Sequence, residues 1–172
     1  MIKLFLLAAT FTTMVVHSSM AQATTNEPLQ PVINAYLDVK NALTADNGVA
    51  ARSAAKVLFT AISDVATDKL PPVEQRVWME YKDKLSYDAE HMKGTDELGH
   101  LREHFMKLSD NFYNMVKVLN INSADLYYQF CPMANDGKGA YWVSEKQAIR
   151  NPYFGKMMMS CGSTKETLKA KS

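Results

Sequence analysis

The chain has 172 residues, of which 47% are hydrophobic and 22% are charged, with 19 Lys and Arg residues against 18 Asp and Glu residues. This near balance excludes the concentrated basic surface that nucleic acids and anionic membranes attract. The length suits one domain with one core.

The first 23 residues have the pattern of a secretory signal peptide. One basic residue, Lys3, precedes an apolar run over residues 4–16, and the small residues Ala21 and Ala23 mark two positions for cleavage. This run is shorter than the roughly 18 residues that a membrane-spanning helix needs, and no second run follows. We expect an exported protein with no membrane insertion, no lipid anchor and equal numbers of acidic and basic residues.

Four segments with a helical period follow the leader. In the most regular of them, residues 95–119, apolar residues recur at alternating steps of three and four, which keeps one face of a helix against its neighbours. Short breaks at 46–48, 69–72 and Gly94 predict that consecutive helices run antiparallel, and Thr95 is the predicted N-cap of the fourth helix. The four stripes are Leu29, Val32, Tyr36, Val39 and Leu43; Ala51, Ala55, Leu58, Ile62 and Val65; Trp78, Tyr81, Leu85, Ala89 and Met92; and Leu98, Leu101, Phe105, Leu108, Phe112, Met115 and Leu119.

The pattern changes after Asn120. Residues 121–162 are rich in glycine and aromatic side chains and have no sustained helical period. The stretches LYYQF (126–130) and AYWV (140–143) are predicted to be short extended pieces joined by a turn over 135–139. We call residues 121–162 the cap and expect it to fold over one end of the helices.

The polar segment 163–172 is predicted to be a disordered tail. The predicted fold is therefore all-α: an antiparallel up-down four-helix bundle with a loop-rich C-terminal cap that contains short extended segments. Bundle and cap form a single domain over residues 24–162.

The cap contains two cysteines, Cys131 and Cys161, and the chain has no others. In an exported protein such a pair is commonly a disulfide, and closing a loop of this length would stabilise the fold by about 3–4 kcal/mol in the chain-entropy model. Methionines mirror each other around the pair, with Met133 two residues after Cys131, and Met159 and Met158 two and three residues before Cys161. Thiolate and thioether sulfurs are soft donors that select Cu(I), although methionine also fills gaps in loop-rich cores. The residues alone do not decide the role of the two cysteines, which is a disulfide, a soft-metal site or simple packing.

Three histidines lie outside the leader, and they differ in position relative to the apolar stripes. His104 falls next to the seam of the fourth helix and can face a buried site, whereas His100 points largely to water. His91 lies near the end of the third helix, about 120° from its apolar stripe. Imidazole is compatible with a copper shell, and a hydrogen-bonded polar residue at a bundle edge is the alternative for each histidine.

Catalysis has no support from a local motif. A nucleophilic pair of Cys131 and His104 would need a base and an oxyanion site that no motif indicates. The cysteines are also not in the C-x-x-C arrangement typical of redox enzymes. We therefore expect a protein that is not an enzyme.

The cap and the fourth helix carry a family resemblance. The stretches CPMANDGKGAYWVSE (131–145) and IRNPYFGKMMMSCG (149–162), together with REHFMKLSDNFY (102–113), resemble the signature of an uncharacterised bacterial domain family. That family occurs alone behind a signal peptide, or at the C-terminus of periplasmic adaptor subunits of copper and silver efflux pumps of the resistance-nodulation-division type. The resemblance covers nearly the whole mature chain and implies a helical domain of the cell envelope associated with heavy-metal handling.

The resemblance also implies a soft-metal site and a partner. The residues carried across are Cys131, Met133, Met158, Cys161, His104 and, most weakly, His91. Cu(I) or Ag(I) is the expected ion, and a periplasmic adaptor or efflux-pump component, contacted in trans, is the expected partner. The expected function is non-catalytic metal binding linked to heavy-metal efflux or homeostasis, and the alternative is a disulfide-stapled structural or protein-interaction module without metal.

Overall fold

Four α-helices and one three-stranded antiparallel sheet make up the part of the chain that the computed structural model describes, residues 28–171. The helices are α1 (Gln30–Thr44), α2 (Gly48–Ser63), α3 (Pro72–Lys93) and α4 (Leu98–Leu119), and the strands are β1 (Leu126–Cys131), β2 (Ala140–Ser144) and β3 (Ser163–Leu168). The predicted signal peptide, residues 1–23, lies outside the described residues. Within residues 28–171, no helix combines the length and the apolar character needed to cross a membrane.

The four helices confirm the helical stripes of the sequence. Consecutive helices pack against each other, α1 on α2, α2 on α3 and α3 on α4. All members of the four stripes are buried except Val65, Tyr81 and Leu98, which are half-buried against the same core. Proline lies in the first turn of α1 and of α3, where its missing N–H has no helical partner to lose.

The N-cap of α4 differs from the predicted one. Glu97, not Thr95, holds this position, and its carboxylate accepts the N–H groups of Gly99 at 2.8 Å and His100 at 2.6 Å. The Thr95 hydroxyl accepts the N–H of Glu97 at 3.1 Å instead. A carboxylate satisfies two backbone donors at once and its charge complements the positive end of the helix dipole, so α4 begins at Leu98.

All-α is too narrow a description, because the cap is built on a sheet. β1 is the central strand, and β2 and β3 pair with it in antiparallel orientation. The two extended pieces predicted at 126–130 and 140–143 are confirmed as β1 and β2. A turn with positive φ at Asn135, Asp136 and Gly137 joins them.

Strand β3 corrects the predicted disordered tail at 163–172. Residues 163–168 pair with β1, and the Glu166 carboxylate accepts the Tyr113 hydroxyl at 2.6 Å and the Lys117 ammonium at 2.8 Å. These two contacts hold the strand to α4. A polar edge strand is stabilised by its partners rather than by its own apolar pattern, so its sequence carried little signal.

Tyr36 connects the sheet to the helices through ring stacking and hydrogen bonds. Its buried ring stacks on Phe112, with centroids 3.8 Å apart, and on Phe105 at 5.4 Å, both on α4. Its hydroxyl contacts the Ser109 hydroxyl at 2.8 Å and accepts the N–H of Val143 in β2 at 3.1 Å. One side chain of α1 therefore sets the position of the sheet that carries Cys131.

Candidate functional site

Cys131 occupies a fixed, fully buried position at the end of β1. It lies opposite Ala140 in the β1–β2 register, and the alternation of side chains places it on the same face of the sheet as Gln129 and Trp142. The Gln129 amide donates to the carbonyls of residues 146–147 at 3.0 and 3.1 Å. The chain that follows β2 therefore covers this face of the sheet.

Asn151 holds the loop that carries Cys161. Its buried side chain donates to the carbonyl of Cys161 at 2.9 Å, and its own N–H donates to the carbonyl of Met159 at 2.9 Å. The same side chain accepts the N–H of Tyr153 at 2.8 Å. Asn151 was not among the predicted metal ligands, although an Asn-Pro dipeptide is a turn signal.

The two cysteines meet. Their sulfur atoms are 3.1 Å apart, and both cysteines are free thiols. Gly162 allows this approach: its φ is +144°, and a Cβ there would lie 2.8 Å from the carbonyl oxygen of Phe130 in β1, so a larger residue would push the loop away. The contact between the two thiols could not be predicted from the sequence, because it depends on the position of β1 and of the loop that Asn151 holds.

The Cys161 thiol is the more accessible of the pair. The hydrogen bond with the Cys131 thiol, followed by burial, raises the pKa of Cys161, and a smaller opposing effect comes from the backbone N–H of Met133. A thiol with a raised pKa is protonated at neutral pH. Any metal that binds here must therefore displace protons.

The backbones of Met133 and Met158 both contact Cys161. The N–H of Met133 interacts with the Cys161 thiol, and the carbonyl of Met158 accepts the N–H of Cys161 at 3.1 Å. The Met133 side chain is 56% exposed and, with Met106, lines an open cleft of about 650 Å³ between α4 and the cap. Met158 is half-buried.

His104 and His91 lie in the seam between α3 and α4. His104 is buried, and its Nδ1 is 2.9 Å from Oδ1 of Asp88 on α3. The ring centroids of His91 and His100 each lie 4.7 Å from that of His104. The expectations that His104 faces a buried position and that His100 faces solvent are confirmed.

The six predicted site residues thus form two groups with separate contacts. The cap group is Cys131, Cys161, Met133 and Met158, and the seam group is His91 and His104. Across residues 28–171, no set of three or more His, Cys, Asp or Glu side chains is already arranged around a metal position.

An ion pair anchors the cap beside this site. The Arg102 guanidinium donates to Asp46 at 2.6 Å and to the carbonyl of Pro152 at 2.9 Å, and the other Asp46 oxygen accepts the N–H of Lys156 at 2.9 Å. The N–H of Lys156, followed by the Arg102 guanidinium, lowers the pKa of Asp46. The segment leading to Cys161 is thereby tied to α4 and to the turn between α1 and α2.

Asp46→Asn is expected to lower the free energy of unfolding by about 1–2 kcal/mol at neutral pH. Asn tolerates the positive φ of 57° at this position, so the charge is the main change. Because the folded-state pKa of Asp46 is lowered, its contribution is complete above the unfolded-state pKa of about 4 and is lost as the pH falls through the folded-state value. Urea unfolding at neutral and at acidic pH should therefore show a difference from the native chain that disappears in acid.

The control for this measurement is Asp38→Asn, which removes an exposed carboxylate from α1 and should change stability by less than about 0.5 kcal/mol. A cost for Asp46→Asn that stays constant into acid would contradict the assignment to charge.

Comparison with known proteins identifies the helical part of the chain. A family model described as protein of unknown function (DUF3347) matches residues 32–124, more than half of the chain. The match covers all of the four helices except the first two residues of α1 and ends just before β1, so both cysteines follow it. No curated protein and no solved structure matched the chain. The chain belongs to this family of proteins of unknown function.

Proposed function

We propose that this protein binds Cu(I) or Ag(I) through Cys131 and Cys161 and does not act as an enzyme. The observation that carries the proposal is the contact between two free thiols, 3.1 Å apart at a largely buried position. Thiolates are the protein ligands that such soft ions prefer, and methionine thioethers are the next choice. Met133 and Met158, whose backbones both contact Cys161, are the sulfur donors proposed to complete the shell.

Binding requires a small movement of one sulfur atom. If each metal–sulfur bond is about 2.3 Å, the value for zinc thiolates, tetrahedral geometry separates two sulfurs by about 3.8 Å. The present 3.1 Å is shorter, so the sulfur atoms must move apart by about 0.7 Å. Cys161 is the residue that can move, because it is only half-buried and lies on a loop, whereas Cys131 is fixed in β1.

The cleft beside Met133 supports exchange of the ion with solvent or with another protein. Met133 is exposed and lines this cleft together with Tyr153 and Phe154. An exposed thioether two residues from Cys131 can leave or enter the shell before the thiols do. Stepwise exchange of ligands is what transfer between two proteins requires.

The cellular setting is part of the same proposal. The signal-peptide pattern of residues 1–23 and the resemblance of the cap to a domain fused to copper and silver efflux adaptors support a location in the bacterial periplasm. A periplasmic adaptor or efflux-pump component is the proposed partner. We take the four helices as an antiparallel up-down bundle that holds the cap in place.

A disulfide is the second candidate, and the same sulfur contact favours it. A bond between Cys131 and Cys161 would link the end of β1 covalently to the start of β3. These two strands are already paired by backbone hydrogen bonds. The protein would then be a structural or protein-interaction module without metal. The oxidation state of the cysteines separates the two functions, because only thiols that can be reduced in the folded protein can bind the ion.

The test is an anaerobic titration of the reduced mature protein with Cu(I) against a competing chelator. We expect one ion per chain for the native protein, and loss of this binding in both Cys131→Ser and Cys161→Ser. Met133→Leu and Met158→Leu should each weaken binding by about tenfold, in line with the loss of one weak donor. Met157→Leu is the matched control, since this neighbouring side chain is 75% exposed and should leave the affinity unchanged.

A different pattern would overturn the metal proposal. Cysteine variants that bind Cu(I) as well as the native chain would show that the thiols are not ligands. Thiols that resist reduction until the protein unfolds would establish the disulfide module instead.

A further inference from the structure

We propose a second metal site, formed by His100 and His104 on α4, for a borderline divalent cation such as Zn²⁺, Ni²⁺ or Cu²⁺. It uses neither cysteine and is independent of the thiol site. Imidazole nitrogen suits these ions, whereas Cu(I) prefers sulfur. All three histidines of the described part of the chain, His91, His100 and His104, meet at this point.

The spacing on α4 brings two imidazoles to one face. His100 and His104 are four residues apart on a continuous helix, so their side chains are neighbours on its surface. Their ring centroids are 4.7 Å apart and their planes are inclined by 49°. The exposed His100 ring can turn a nitrogen toward an ion beside His104 through side-chain rotation, with no change in the backbone.

His104 is held as a metal ligand usually is. Its Nδ1 lies 2.9 Å from the carboxylate of Asp88, and the residue is only 6% exposed. If Nδ1–H donates to this carboxylate, Nε2 keeps its lone pair for a cation, which is the carboxylate–histidine arrangement found around protein metals.

His100 provides the accessible side of the site. It is exposed, and its backbone N–H is fixed by the Glu97 carboxylate at the start of α4. An ion from solvent can therefore bind His100 first and His104 second. Water would complete the coordination, because two imidazoles fill only two positions of a four-coordinate ion.

His91 is a neighbour and not a ligand in this proposal. Its ring is nearly parallel to that of His104, with an angle of 21° between the planes. The lone pair of an imidazole nitrogen lies in the ring plane, so two stacked rings do not point at a common ion. The Nδ1 of His91 is also engaged with the carbonyl of Tyr87 at 2.9 Å. His91 therefore serves as a matched control on the same cluster.

The experiment uses the full mature chain without a polyhistidine tag and with both cysteines replaced, Cys131→Ser and Cys161→Ser, so that thiols contribute nothing. Titration calorimetry with ZnCl₂ and with NiCl₂ is expected to show one saturable site. His100→Gln should weaken binding by at least about tenfold, the lower end of the range for disturbing a metal site, whereas His91→Gln should change it by less than about threefold. Because His100 is exposed, its replacement leaves the fold intact, and thermal unfolding without metal checks this.

Two outcomes would overturn the inference. One is the absence of saturable binding by either ion in the cysteine-free chain. The other is an equal affinity for His100→Gln and the parent, or an equal loss for His91→Gln and His100→Gln. Neither outcome depends on Cu(I) binding at the thiols, so failure of this site and failure of the proposed function are distinguishable.

Discussion

Tyr36→Ala is expected to lower the free energy of unfolding by about 4 kcal/mol, the middle of the range for removal of a buried aromatic side chain. The ring is fully buried between Phe105 and Phe112, so the substitution leaves a cavity where α1, α4 and the sheet meet. It also removes the acceptor for the N–H of Val143. Urea unfolding at neutral pH measures the loss directly.

Tyr36→Phe separates the ring from the hydroxyl. It keeps the stacking and leaves the N–H of Val143 and the hydroxyl of Ser109 without their present partner, which should cost about 1–2 kcal/mol. Asp38→Ala, on the exposed side of α1, is the control and should stay within about 0.5 kcal/mol of the native chain. Equal costs for the Ala and Phe variants would show that the ring contributes nothing, contrary to its packing.

Glu145→Gln is the second large effect, with an expected loss of about 3 kcal/mol, because it leaves a buried ammonium without its counter-ion. The Lys40 side chain on α1 is 1% exposed, and its Nζ lies 2.7 Å from Glu145. Its other contact is the Ser144 hydroxyl at 3.4 Å. Burial lowers the pKa of Lys40, so the penalty of the variant should shrink as rising pH neutralises the amine.

A double variant tests this account. Lys40→Met combined with Glu145→Gln removes both charges and should recover most of the stability lost in the single variant, since apolar replacement of a buried pair is often neutral. Unfolding of the two single variants and the double variant, at neutral pH and near pH 10, provides the comparison. A double variant as unstable as the sum of the single ones would show that the two residues act independently.

The extent to which the fold was predictable differs between its parts. The helices were predictable because each has an apolar stripe of its own, such as Leu101, Phe105, Leu108 and Phe112 on α4. The strands β1 and β2 were predictable from their aromatic residues and the turn between them. β3 was not, because the residues that stabilise it, including Tyr113 and Lys117, lie on α4.

The candidate sites were likewise predictable only in part. The mirrored Cys and Met motifs marked Cys131 and Cys161 in advance, but their contact depends on Asn151 and Gly162, which place the loop against β1. The spacing of His100 and His104 was visible in the sequence. The contacts of His104 with Asp88 and His91 depend on how α3 is rotated against α4.

The sequence by itself determined the four helices, the two extended pieces and the residue types available for soft-metal chemistry, because these depend on periods and motifs local to the chain. Only the tertiary structure decided which distant groups meet: Cys131 with Cys161, Lys40 with Glu145, and His104 with Asp88. These contacts arise from the packing of whole elements. A single sequence does not record the rotation and register with which those elements pack.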